Sequence, residues 1–98
     1  MRRRRYREEV FHDLSEAANW YEERRSGLGA RFLEAVEQTM AWIEENPELF
    51  RVIYQDLRRA LLPRPFPYQI FFQVHGEYVD IYAVLHAARD PESWKRRL

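Results

Sequence analysis

The stretch Tyr68-Gln-Ile-Phe-Phe-Gln-Val-His-Gly-Glu-Tyr-Val-Asp-Ile-Tyr-Ala-Val-Leu-His86 decides the fold. Its two runs, Tyr68 to Val74 and Tyr78 to Leu85, alternate with the period of a strand and meet at His75-Gly76, so they predict an antiparallel hairpin. Period two puts Tyr68, Ile70, Phe72 and Val74 on one side, together with Val79, Ile81, Ala83 and Leu85. That side is a core face. The other side carries Gln69, Phe71 and Gln73, then Tyr78, Asp80, Tyr82, Val84 and His86. It is too polar for a core and too aromatic for bare solvent, so something covers it, either a partner or another piece of the same chain packed on Phe71, Tyr82 and Val84. The helices are expected to cover the first side and leave this one open.

Upstream, the spacing changes. Val10, Leu14, Ala17 and Tyr21 recur at three and four residues behind Glu8 and Glu9, predicting an amphipathic helix that ends near Arg25. Ser26-Gly27-Leu28-Gly29 breaks it, and a second helix follows with Leu28, Phe32, Ala35, Val36, Met40 and Ile43 inward, stopped by Asn46-Pro47. So short a joint makes the two helices antiparallel. A loop is expected at 48–56 and a strand at 57–62; Pro63, Pro65 and Pro67 then force an extended turn before the hairpin. Arg2 to Arg7 reads as a strand, and Asp90-Pro91-Glu92 as the start of a short terminal helix bearing Trp94. The expected order is β-α-α-β-β-β in one domain spanning 1–98. The fold class is α+β: two layers, with an antiparallel helical hairpin on one face of a small, mainly antiparallel sheet and a short C-terminal helix or tail.

At 98 residues without cysteine, the chain holds one modest core, no disulfide and no thiolate site. No apolar run approaches the roughly 20 residues of a membrane span, so the expected setting is soluble and cytoplasmic, away from any membrane. Net charge is zero but uneven: five arginines lie in residues 1–7, three basic and 11 acidic groups in 8–50, and eight basic and five acidic groups in 51–98. If the ends meet in the sheet, that side becomes cationic and attracts a polyanion or acidic peptide.

Hydrolysis would need a base, an acid and a group to hold developing charge. His86, at the end of the last strand, is the best titratable candidate, with Arg89 near enough in sequence to meet the same anion. No phosphate-cradling glycine loop, serine elbow or metal-ligand spacing occurs, and no cofactor or metal is expected. Trp20 lies on the rim of the first helix, placed either to anchor a partner or to cover the helix joint.

Asp13-Leu14, Trp20-Tyr21-Glu22, Gly27-Leu28-Gly29, Arg31-Phe32, Asn46-Pro47, Arg58-Arg59, Phe66-Pro67-Tyr68, Ala83-Val84-Leu85-His86, Arg89-Asp90-Pro91 and Trp94, in this order and spacing, resemble the RelE/ParE superfamily of type II toxins. The resemblance covers Tyr6 to the end. It implies a toxin, with roles in plasmid maintenance or growth arrest, silenced by a cognate antitoxin that wraps it, possible as a hetero-oligomer. RelE-like members cut mRNA in the ribosome; ParE-like members bind DNA gyrase and trap it with its DNA cleaved. The RelE pattern asks for lysines where Ala60 and Leu62 are expected to fall, an arginine at Gln69 and a tyrosine near Trp94. Such metal-free phosphoryl transfer depends on positioned cations. Their loss favours the ParE-like reading, a binding inhibitor rather than an enzyme. The alternative is a ribonuclease built from Arg64, His86 and Arg89, and a further one a non-toxic scaffold. Antitoxin contact is expected at Trp20, Phe71 and Tyr82 through apolar surface, and at Arg58, Arg59 and Arg89 through carboxylates.

Overall fold

Glu8 and Glu9 sit in the first turn of a helix whose inward stripe is Val10, Asp13, Ala17 and Tyr21. A carboxylate on a buried stripe requires a partner, and its partner shapes the molecule, as described below. The structure, a computed structural model, describes residues 2–98. Along the chain lie β1 (Arg3–Tyr6), α1 (Glu8–Arg24), α2 (Leu28–Glu45), a 3-10 turn (Pro47–Leu49), β2 (Arg51–Tyr54), β3 (Leu57–Leu61), β4 (Tyr68–His75), β5 (Tyr78–His86) and α3 (Glu92–Lys95). The sheet order is β1-β5-β4-β3-β2. β1 runs parallel to β5, and the remaining pairs are antiparallel. The α+β architecture expected from sequence is the one observed, with a fifth strand, β2, in the segment read as a loop.

The two helices meet closely because Gly27 adopts φ 89° and Gly29 has no side chain: a Cβ there would lie 2.6 Å from the Ala18 carbonyl oxygen. Glu22 completes the joint, its carboxylate accepting the N–H groups of Gly27 (2.9 Å) and Gly29 (3.0 Å) at the start of α2. Between helices and sheet lie Val10, Phe32, Met40, Ile43, Ile70, Phe72, Val79 and Ile81, all at most 2% exposed. Phe32, Tyr21, Phe66 and Tyr68 form an aromatic cluster with centroids 5.0 to 6.1 Å apart, joining both helices to the proline turn.

The arginine-rich start is held in place. Arg4 bonds Glu37 through both guanidinium nitrogens at 2.8 Å and Glu44 at 2.7 Å. Arg5 bonds Asp80 at 2.6 and 3.1 Å, and Arg2 reaches Glu48 at 2.8 Å. The expected cationic sheet side is thereby largely cancelled: the acidic middle of the chain neutralises the basic beginning.

The hairpin departs from strict period two. Phe71 faces Ala83 while Phe72 faces Ile81, so Tyr82 is an extra residue in β5. Beyond this bulge every side chain changes sides. Val79, Ile81 and Val84 lie in the helix-side core; Ala83 and Leu85 join Leu57 and Phe71 in a second cluster on the reverse face. Trp94 of α3 covers that cluster, stacking on Phe71 with centroids 5.2 Å apart and meeting Tyr54 edge-on at 5.9 Å. The centre of the reverse face is therefore closed by the chain's own C-terminal helix, correcting the expectation that it lies open.

β5 extends past β1, and two side chains take the place of a neighbouring strand there. The Val84 N–H donates to Asp13 Oδ2 at 2.9 Å, and Arg97 donates to the Tyr82 carbonyl at 3.2 Å. Arg97 also holds both oxygens of Asp13, at 2.6 and 2.9 Å. This pairing raises the Arg97 pKa above its ordinary value, through its hydrogen bonds to Asp13 first.

Candidate partner-binding site at the end of the sheet

Tyr68 opens β4 and faces His86 at the end of β5, so the last rung of the hairpin places a phenol against an imidazole, centroids 5.3 Å apart. α1 brings Glu16, Trp20 and Tyr21 to the same place, where they enclose a cavity of about 460 Å³ with Tyr68, His86 and Pro67. The proline turn creates a second cavity of about 530 Å³, lined by Leu61, Leu62, Arg64, Phe66 and Ala87 together with Pro67 and Tyr68. Pro67 and Tyr68 separate the two as a common wall.

The polar groups are mostly donors. The Ala88 N–H donates to His86 Nδ1 at 3.0 Å, so the ring hydrogen of the neutral imidazole sits on Nε2. Burial pushes the phenols of Tyr21 and Tyr68 above their usual range, keeping both protonated at neutral pH. Neither hydroxyl is an orphaned buried atom, since none occurs among the described residues. Arg89 approaches Glu16 at 3.9 Å, an ion contact without hydrogen-bond geometry, and Arg24 lies over Trp20 at 3.5 Å from the ring centre.

The expected contact residues separate into three groups. Trp20, 48% exposed, and Arg89 belong to this end of the sheet. Arg59, Phe71 and Tyr82 belong to the reverse face, but Phe71 is 1% exposed beneath Trp94 and offers a partner no surface, correcting its expected role. Tyr82 is half-buried; its hydroxyl donates to Gln73 at 3.0 Å and Arg7 lies over its ring. Arg58 faces the helix side and donates to the carbonyls of Phe50 (2.7 Å) and Glu48 (3.3 Å), so its donors serve the chain itself. Of the ribonuclease candidates, His86 lines one cavity and Arg64 the other, with Arg89 at the rim of the first. Ala60 and Leu62, expected at lysine positions, are buried in the helix-side core; Arg59 and Leu61 alternate with them on the reverse face.

The sequence matches the family described as "ParE toxin of type II toxin-antitoxin system, parDE" over residues 4–91. This chain belongs to the ParE toxin family. A solved structure described as a chromosomal ParDE toxin–antitoxin system from P. aeruginosa superposes with a TM-score of 0.65 at 16% identity, covering 88% of this chain and 96% of that one. At that identity the likeness establishes the fold. Among curated proteins no sequence matches significantly.

Two groups in this ParE-family toxin were not assigned a role from sequence. Asp13 falls between Val10 and Ala17 on the inward stripe, where an acid is costly unless paired; that position was a legible signal. Arg97 carried none, because its partner lies 84 residues away.

Proposed function

We propose that this ParE-family toxin acts by binding DNA gyrase and holding it with its DNA cut, and that a cognate antitoxin neutralises it. The observation that supports gyrase over mRNA is the make-up of the reverse sheet face. Its centre is Leu57, Phe71, Ala83 and Leu85 under Trp94, an apolar plug without a base or a convergent set of cations. Metal-free phosphoryl transfer loses roughly 10²- to 10³-fold for each missing charge-stabilising donor, by analogy with oxyanion sites. Arg59 and Arg51 do face one another across β3 and β2. Arg59, however, pairs with Phe71, three residues along β4 from the Tyr68–His86 rung, about 10 Å at strand spacing. That separates it from the best candidate base.

Induced expression with two readouts tests this. Loss of plasmid supercoiling with intact transcripts is the expected result; cut transcripts with unaffected supercoiling would replace gyrase by the ribosome.

A further inference from the structure

The two cavities at the end of the sheet lie side by side on either side of Pro67 and Tyr68, so that an extended segment crossing this wall would fill both as the two compartments of one trough. The compartments differ in chemistry. The proline-turn compartment is walled by Leu61, Leu62, Phe66 and Ala87, with Arg64 at its rim. Among the described residues Arg64 has no ion-pair partner, although Arg2, Arg4, Arg5 and Arg97 all do. The other compartment gathers hydrogen-bond donors: the phenols of Tyr21 and Tyr68, the Nε2–H of His86 and, beside Glu16, the guanidinium of Arg89, which makes an ion contact there but no hydrogen bond. Its one acidic group, Glu16, contacts His12 at 3.4 Å and Arg89 at 3.9 Å. Leu61, 61% exposed, and Trp20, 48% exposed, leave apolar surface at the two ends of the trough.

We propose that the trough receives an acidic, apolar segment of the antitoxin, with a branched apolar side chain in the proline-turn compartment and a carboxylate in the Tyr68–His86 compartment. An acceptor-only group is the complement of a donor-rich pocket, and Arg64 and Arg89 at the rims favour a segment of negative charge. The identity of the partner rests on the toxin reading above; the chemistry of the compartments does not. Glu16 opposes the incoming carboxylate, so its removal strengthens binding whereas removal of a donor weakens it.

Two measurements test this separately. Isovalerate, a branched apolar carboxylate, is titrated into the full chain while indole and imidazole resonances are followed, with isoamyl alcohol as the neutral control. Saturable shifts at Trp20 and His86, absent at Trp42 and Trp94, greater than those with the alcohol and lost in Arg89→Gln, are expected. An equal response to the alcohol, or none at Trp20 and His86, would overturn the carboxylate assignment. Antitoxin affinity is then compared across variants that keep the packing. Tyr68→Phe and Arg89→Gln should each weaken binding about tenfold, as for a lost hydrogen bond to a charged group, and Glu16→Gln should tighten it. Unchanged affinity in both donor variants would refute the trough as the docking site. Isovalerate seating in a chain that binds no antitoxin would instead refute the toxin–antitoxin reading and leave the pocket chemistry standing.

Discussion

Asp13 and Arg97 show how much of this fold depends on single side chains. The ion pair is nearly out of water, with side-chain exposures of 4% and 18%, and both members bond the backbone of β5 where no strand lies beside it. Removing one partner leaves the other buried and uncompensated, which costs about 3–5 kcal/mol. Asp13→Ala is therefore expected to lower unfolding free energy by that amount in urea titration, while Glu23→Ala, on the exposed side of α1, changes it little. Gly29 is a second such residue. Gly29→Ala places a methyl 2.6 Å from a backbone oxygen, so the helices must separate at a cost of about 1–3 kcal/mol, read in the same titration. The sequence showed the glycine as a turn signal. It did not show the close approach of α1, which only the packed hairpin defines.

At the scale of elements, the helices and β4 were legible because each keeps one period throughout. β5 was legible as a strand but not in its facing, because one additional residue at Tyr82 reverses the faces of Ala83, Val84 and Leu85. The bulge places Leu85 and Ala83 on the reverse side, where α3 supplies Trp94 to cover them. β2 was missed because its four residues follow a 3-10 turn and carry no alternating core face; its burial comes chiefly from Ile53. Trp94→Ala is expected to uncover Phe71 and Leu57 and to destabilise the chain by about 1–3 kcal/mol, less than a fully buried tryptophan because Trp94 is only half-buried. Increased binding of a hydrophobic dye to the folded variant would accompany it. Unchanged stability and dye binding would mean that α3 does not cover the cluster in solution.

For the molecule as a whole, zero net charge conceals a directed pattern, in which the arginines of β1 neutralise acids of α2 and β5. Arg4 holds Glu37 below its ordinary carboxylate range, and Arg5, with His75, does the same for Asp80. A depressed carboxylate pKa contributes stability that is present above the unfolded-state value and lost as pH falls through the folded one. Melting temperature should thus hold from neutral pH down to about 4.5 and then decline, more gently in Arg5→Gln. The arginine pKa values are raised further from an already strongly basic value and leave no mark in the physiological range. Charge counting from sequence located the three blocks but not their pairing, and so overstated the cationic sheet side. What remains exposed for partners is the end of the sheet, where Trp20 and Leu61 leave apolar surface beside the two cavities. The most direct test of a binding toxin is a purified gyrase reaction on supercoiled plasmid, quenched with detergent and protease. The account predicts linear DNA that accumulates with added toxin and disappears when antitoxin is included; gyrase that supercoils normally at every toxin concentration, with no cleaved plasmid, would contradict it.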